Sequence, residues 1–211
     1  SDTTMSFPPA YQVAAPFGAD IGGVPAAFIA AAPETEFDSW LTIGITDGSD
    51  SGSIAASPGF DIASLWTATT GLSETNSAVF FMDPGTMGAN SGSDPIVMAQ
   101  MTLSAADFAS GTATAQLQGN AVDSSQEDWQ YSATWTWSSS GPPPPPPPPP
   151  APPPSDGAES VTVVSTDGVA GMTTVRLAYT LDAGQANVYA MAGTSDTTMS
   201  FPPAYQVAAP F

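Results

Sequence analysis

The chain has no cysteine, no histidine and no lysine, and a single arginine, Arg176, in 211 residues. Thiol nucleophiles, imidazole general bases and Schiff-base amines are therefore excluded, which leaves carboxylate, hydroxyl and phenol chemistry. Against the one cation stand 20 Asp and Glu, for a net charge of −19. A chain of that sign repels nucleic acid and anionic membrane, and attracts divalent cations or basic partners. The lack of cysteine assigns no compartment, because a domain of this length needs no disulfide staple. No apolar run approaches the ~18 residues of a membrane helix. None of Asn76, Asn90, Asn120 and Asn187 starts an Asn-x-Ser/Thr sequon, so heavy glycosylation has to be O-linked. An apolar fraction of 42% is too high for a disordered chain.

What the chain does have is a repeat. Residues 195–211 are identical to residues 1–17, SDTTMSFPPAYQVAAPF, at an offset of 194. Such a match predicts a longer polypeptide of near-identical units, each 194 residues long. The punctuation of the unit is the tract 142–154, nine prolines, Ala151 and three more prolines. A polyproline II helix has no internal hydrogen bonds and no core, so a domain boundary belongs there. One unit then runs from residue 155 to 194 and continues as residues 1–154, with a globular part of 181 residues. In this frame, residues 1–141 are the main part of one repeat domain. Its first strands lie in the preceding unit and are equivalent to 155–194. Residues 155–211 start the next domain. Residues 161–191 of one unit are expected to pack with residues 11–137 of the following unit.

Period-two alternation recurs and predicts an all-β domain, a sandwich of two sheets. Val175, Leu177, Tyr179 and Leu181 share one face, as do Val97, Ala99, Met101 and Leu103, and Ala113, Ala115 and Leu117. The clearest row is Trp129, Tyr131, Ala133, Trp135 and Trp137, against Gln130, Ser132, Thr134, Thr136 and Ser138. Further strands are expected over 40–46, 78–82, 160–165 and 187–192, separated by Asp-Gly, Asp-Pro and Gly-Asn turns. Helical signals are confined to residues 21–32, broken by Gly22, Gly23 and Pro25, and a capped turn over 104–109.

Candidate sites are few. Glu34, Glu36 and Asp38 are the nearest approach to a glycosidase carboxylate pair, but alternating acids before a strand read as a solvated edge. The chain is read as non-enzymatic. The oxygen-rich loop DGSDSGS offers Asp47 and Asp50, with Ser49, Ser51 and Ser53, as a candidate calcium site, although it lacks the EF-hand pattern. The aromatic row reads as a core face rather than a sugar-stacking platform, with Trp137 placed to meet proline rings where the strand runs into the tract. Arg176, on the polar face of its strand, is expected to pair with a carboxylate.

Thirteen residues of polyproline II span about 40 Å, so the tract is a stiff spacer where Gly and Ser would give a flexible one. With a globule of similar width in line, one unit advances very roughly 80 Å. Contiguous proline also suits hydroxylation and O-glycosylation. The candidate positions are Pro142, Pro143, Pro144, Pro145, Pro146, Pro147, Pro148, Pro149, Pro150, Pro152, Pro153 and Pro154.

The acidic, lysine-free β unit, with stretches such as VRLAYTLDAGQANVYAMAG at 175–193 and NSAVFFMDPG at 76–85, joined in tandem by a pure proline spacer, resembles the axial proteins of green-algal flagellar mastigonemes. The resemblance covers the whole unit. It implies an extracellular fibre axis on the cilium surface, hydroxyproline bearing arabinose and galactose chains, and a companion coat glycoprotein as partner beside the adjacent repeats. A hydroxyproline-rich cell-wall or matrix glycoprotein, and a calcium- or carbohydrate-binding adhesion module, stay open as alternatives. Loss of calcium binding with unchanged assembly on replacing Asp47 and Asp50 by Asn is the result expected of the adhesion module.

Overall fold

The computed structural model describes residues 5–7, 11, 13, 17–74, 76–82, 94–139 and 158–193. The proline tract and all its candidate glycosylation positions lie outside the described residues. Eleven strands are described: β1 (Met5–Phe7), β2 (Trp40–Leu41), β3 (Ile54–Ala56), β4 (Leu72–Glu74), β5 (Ala78–Phe81), β6 (Ile96–Ser104), β7 (Ser110–Gly119), β8 (Trp129–Ser138), β9 (Ala158–Ser165), β10 (Met172–Thr180) and β11 (Ala190–Ala192). Short helices α1 (Ala26–Ala31), α2 (Ile62–Leu65) and α3 (Ala105–Ala109), with 3₁₀ turns over Pro33–Phe37 and Gly48–Ser53, fill the connections.

The strands form two antiparallel sheets, as an all-β sandwich requires. One runs β3-β5-β11-β7-β1-β4 with β8 also on β7, and the other runs β2-β6-β10-β9. Between them the expected rows close a common core: Val175, Leu177 and Tyr179 from β10, Met101 and Leu103 from β6, Ala113, Ala115 and Leu117 from β7, and Ala133, Trp135 and Trp137 from β8. Burial of these side chains supplies the main driving force, about 1.5–3 kcal/mol for each large apolar group. The alternation fails at one place in β6. The β10 register shifts between Leu177, opposite Ala99, and Ala178, opposite Val97. This bulge puts Ile96 in the core and leaves Val97 half-buried, where strict alternation had placed Val97.

Two glycines on β7 make room for indoles of its neighbour. Gly111 faces Trp137 and Gly119 faces Trp129 across the ladder. A Cβ on Gly111 would come within 2.3 Å of the Trp137 ring, and one on Gly119 within 2.5 Å of the Trp129 ring. Glycine here serves packing, by letting an aromatic lie flat over the strand beside it.

Residues 158–193 complete both sheets of this chain. β10 lies between β6 and β9, and β11 is inserted between β5 and β7. The contact surface expected between residues 161–191 and 11–137 is thus formed here within one chain.

The outer face of the second sheet is also buried. Thr102, Thr174 and Gln100 are each 1% exposed or less. The 3₁₀ turn over Pro33–Phe37 and the residues after it lie across them. Their backbone carbonyls, which a 3₁₀ end leaves free, are the acceptors that these side chains use.

Candidate functional site

Two places in the domain concentrate polar or open surface. The first is the layer under the 3₁₀ turn. Gln100 Nε2 donates to the carbonyls of Glu36 and Asp38, both at 2.9 Å. Thr102 Oγ1 lies 2.6 Å from the Phe37 carbonyl and 2.8 Å from Thr174 Oγ1. Arg176 Nε donates to Gln100 Oε1 at 3.0 Å, and its guanidinium carbon stands 5.8 Å from the centre of the Trp40 ring. Gln100 therefore links the cation to two backbone carbonyls. Among the described residues, the expected carboxylate pairing of Arg176 is replaced by this amide contact and by the ring face. Burial lowers the Arg176 pKa, and the charge of Glu36 offsets part of that.

Asp38 ends this layer. Its carboxylate accepts from the backbone N–H of Val13 at 2.6 Å, Ala19 at 2.9 Å and Ser39 at 3.0 Å. The solvated-edge reading holds for Glu34 and Glu36, which are exposed, and fails for Asp38, which is fully buried. Full burial raises its pKa well above the usual carboxylate range. The three N–H donors oppose that shift, and the nearby Asp20 charge adds to it. Asp20 is raised as well, first by burial and then by Asp61. The three candidate acids therefore differ in setting: Asp38 is a structural hub, and Glu34 and Glu36 face water.

Asp47 accepts from its own loop, with Ser49 N–H on Oδ1 at 3.0 Å, and this contact lowers its pKa. The side chain of Asp50 lies outside the described residues. Among the described residues no group of three or more acidic side chains is placed to hold a metal ion.

The second place is an open groove of about 650 Å³ between the ends of β8 and β9, lined by Phe108, Thr136, Trp137, Ser138, Ser139, Val161 and Val163. Its walls are apolar and hydroxylic, with no titratable side chain among them. Ser104 caps α3, accepting from Asp107 N–H at 3.2 Å, which holds Phe108 at the rim. Trp137 Nε1 donates to the Asp107 carbonyl at 3.1 Å, which fixes the indole. The groove opens three residues before the first proline, Pro142. The contact expected between Trp137 and proline rings lies outside the described residues. Trp135 is buried, with its Nε1 on the Ala178 carbonyl at 2.8 Å, while Trp129 and Tyr131 are half-buried against the core and Trp129 stacks on Tyr179 at 6.0 Å. Sequence reasoning missed Phe108, Val161 and Val163, because α3 and β9 reach the groove only through the sheet topology.

Among the described residues no helix is long and apolar enough to cross a membrane. Comparison of the chain with protein-family models, with curated proteins and with solved structures finds no match.

Proposed function

We propose that the chain is a structural repeat of an extracellular, glycosylated filament axis of the ciliary mastigoneme type. Proline tracts carry O-glycans on hydroxyproline and set the axial spacing, while the β domains offer lateral surfaces to a coat protein. The observation that carries the reading is the identity of residues 1–17 and 195–211 on either side of a nearly pure proline tract. Stiff spacers between identical domains suit an object whose function is length. The polar chemistry of the domain agrees with this role: its one cation, its buried acid and its tryptophan row are spent on internal contacts.

Removing residues from the tract of native filaments is expected to shorten the axial repeat by about 3 Å per proline removed, read from electron micrographs. An unchanged repeat means that the coat sets the spacing, and the role assigned to the tract fails.

A further inference from the structure

Strand β7 has two edges. β8 pairs with its whole length, from Ser110 opposite Ser138 to Gly119 opposite Trp129. β11 and β1 must therefore share the other edge, and they do so end to end. Ala190, Met191 and Ala192 face Gln118, Leu117 and Gln116, and Ser6 faces Thr114. Both run antiparallel to β7, so both run the same way.

The next rank repeats the arrangement. β11 pairs outward with β5, with Ala192 opposite Ala78, and β1 pairs outward with β4, with Met5 opposite Glu74. β4 and β5 are one continuous stretch of chain, interrupted between Glu74 and Ala78. Ala192 and Met5 thus face residues only four apart, a gap of at most about 14 Å. In a tandem array Ala192 is followed seven residues later by Met199, the repeat's copy of Met5. Seven residues close such a gap with slack.

The other route to the same domain runs through the tract. The Thr134 N–H donates to Glu159 Oε1 at 3.1 Å, so β9 begins beside the middle of β8. The end of β8, at Ser138, shares the groove with Val161 and Val163, further along β9. β8 and β9 therefore point the same way. A chain leaving at Ser139 and returning at Ala158 has to travel back by about 15–20 Å at the strand rise. Thirteen residues of polyproline II span about 40 Å. Residues 140–141 and 155–157 are the only legs that join the tract to the two strands.

We propose that residues 158–193 complete the domain that follows them directly in the array, with β11 and the next copy of β1 forming one continuous edge on β7. The proline tracts then lie outside the domain. One arrives at Ala158 and the next departs from Ser139, at opposite ends of the β8–β9 seam and heading the same way. The inference rests on the tandem-array reading and names its contact: the partner of residues 158–193 is the next copy of residues 1–139.

In the 211-residue chain a second copy supplies that partner. The chain lacks cysteine, so a bridge can be placed cleanly. Ala190 and Gln118 face each other across the ladder, a Cα separation of about 4.5–5.5 Å that a disulfide fits. Mixing one copy carrying Ala190→Cys with another carrying Gln118→Cys is expected to give the disulfide-linked heterodimer. Sedimentation of the unsubstituted chain is expected to show dimers and longer assemblies that grow with concentration. Replacing 142–154 by a Gly/Ser sequence of equal length is expected to return a monomer, since a flexible segment lets a chain close on itself. A native chain that stays monomeric at all concentrations, with or without trapped heterodimer, overturns the inference. That result leaves the array reading standing, because a filament closed the other way retains its axial period.

Discussion

Replacing Trp135 by Ala is expected to lower the stability of the domain by about 3–5 kcal/mol, the largest loss from any one side chain considered. Trp135 lies at the meeting of the two sheets. Its ring is in the common core, and its Nε1 donates to the Ala178 carbonyl of the opposite sheet at 2.8 Å. Truncation leaves a cavity and removes this hydrogen bond together. Trp135→Phe separates the two, because most of the apolar volume stays while the hydrogen bond goes, at a cost of about 1–3 kcal/mol. Chemical denaturation of the two variants reads both values. Equal, small losses would mean that the two sheets are not joined through this indole.

The second expected result concerns Asp38. Asp38→Ala removes the acceptor of three backbone N–H groups from Val13, Ala19 and Ser39. Leaving buried donors unpaired is expected to cost about 3 kcal/mol or more. The loss is expected to appear first as faster hydrogen exchange at Val13 and Ala19, because Ser39 N–H keeps the Tyr11 carbonyl at 2.6 Å. Asp38→Asn keeps one oxygen and turns an N–H toward a donor, so it is expected to fall between Ala and wild type at neutral pH. The pH dependence is a separate signature. Burial holds the proton on Asp38 to higher pH in the folded state than in the unfolded chain, and the same holds more weakly for Asp20. Their contribution to stability is therefore full below about pH 4 and is lost as pH rises through the raised values. Wild-type stability should decline with rising pH above that point, and Asp38→Asn should flatten the decline. An Asp38→Asn variant with the same pH slope as wild type would mean that the N–H groups offset burial at this site.

The rows of alternating side chains made the sandwich legible, because a half-buried strand writes its inner face every second residue. β8 is the clearest case: Ala133, Trp135 and Trp137 are buried and the residues between them are exposed. Ser104 as a cap before α3 was legible for the same kind of local reason. Three features were not. The bulge that exchanges Val97 for Ile96 depends on register with β10, and nothing in the stretch IVMAQMTLS marks it. Burial of Asp38 depends on a long-range fold-over that brings Val13 and Ala19 to it. A polar residue amid an apolar strand, Gln100, was the one signal that its outer face would be covered. The repeat itself was legible at sight, but the end-to-end placement of β11 and β1 on β7, on which the proposed connection between units rests, came only from the ladders.

Units of this kind are proposed to build a regular axis. Electron microscopy of the native material, with the axial period read from the images, tests it most directly. A tract of about 40 Å, with the seam and the legs beside it, predicts one period of roughly 60–80 Å for each 194-residue unit. A fibre indexed on that period is expected. Isolated globules, or an amorphous mesh with no axial period, would contradict it and turn the assignment to a wall or matrix glycoprotein.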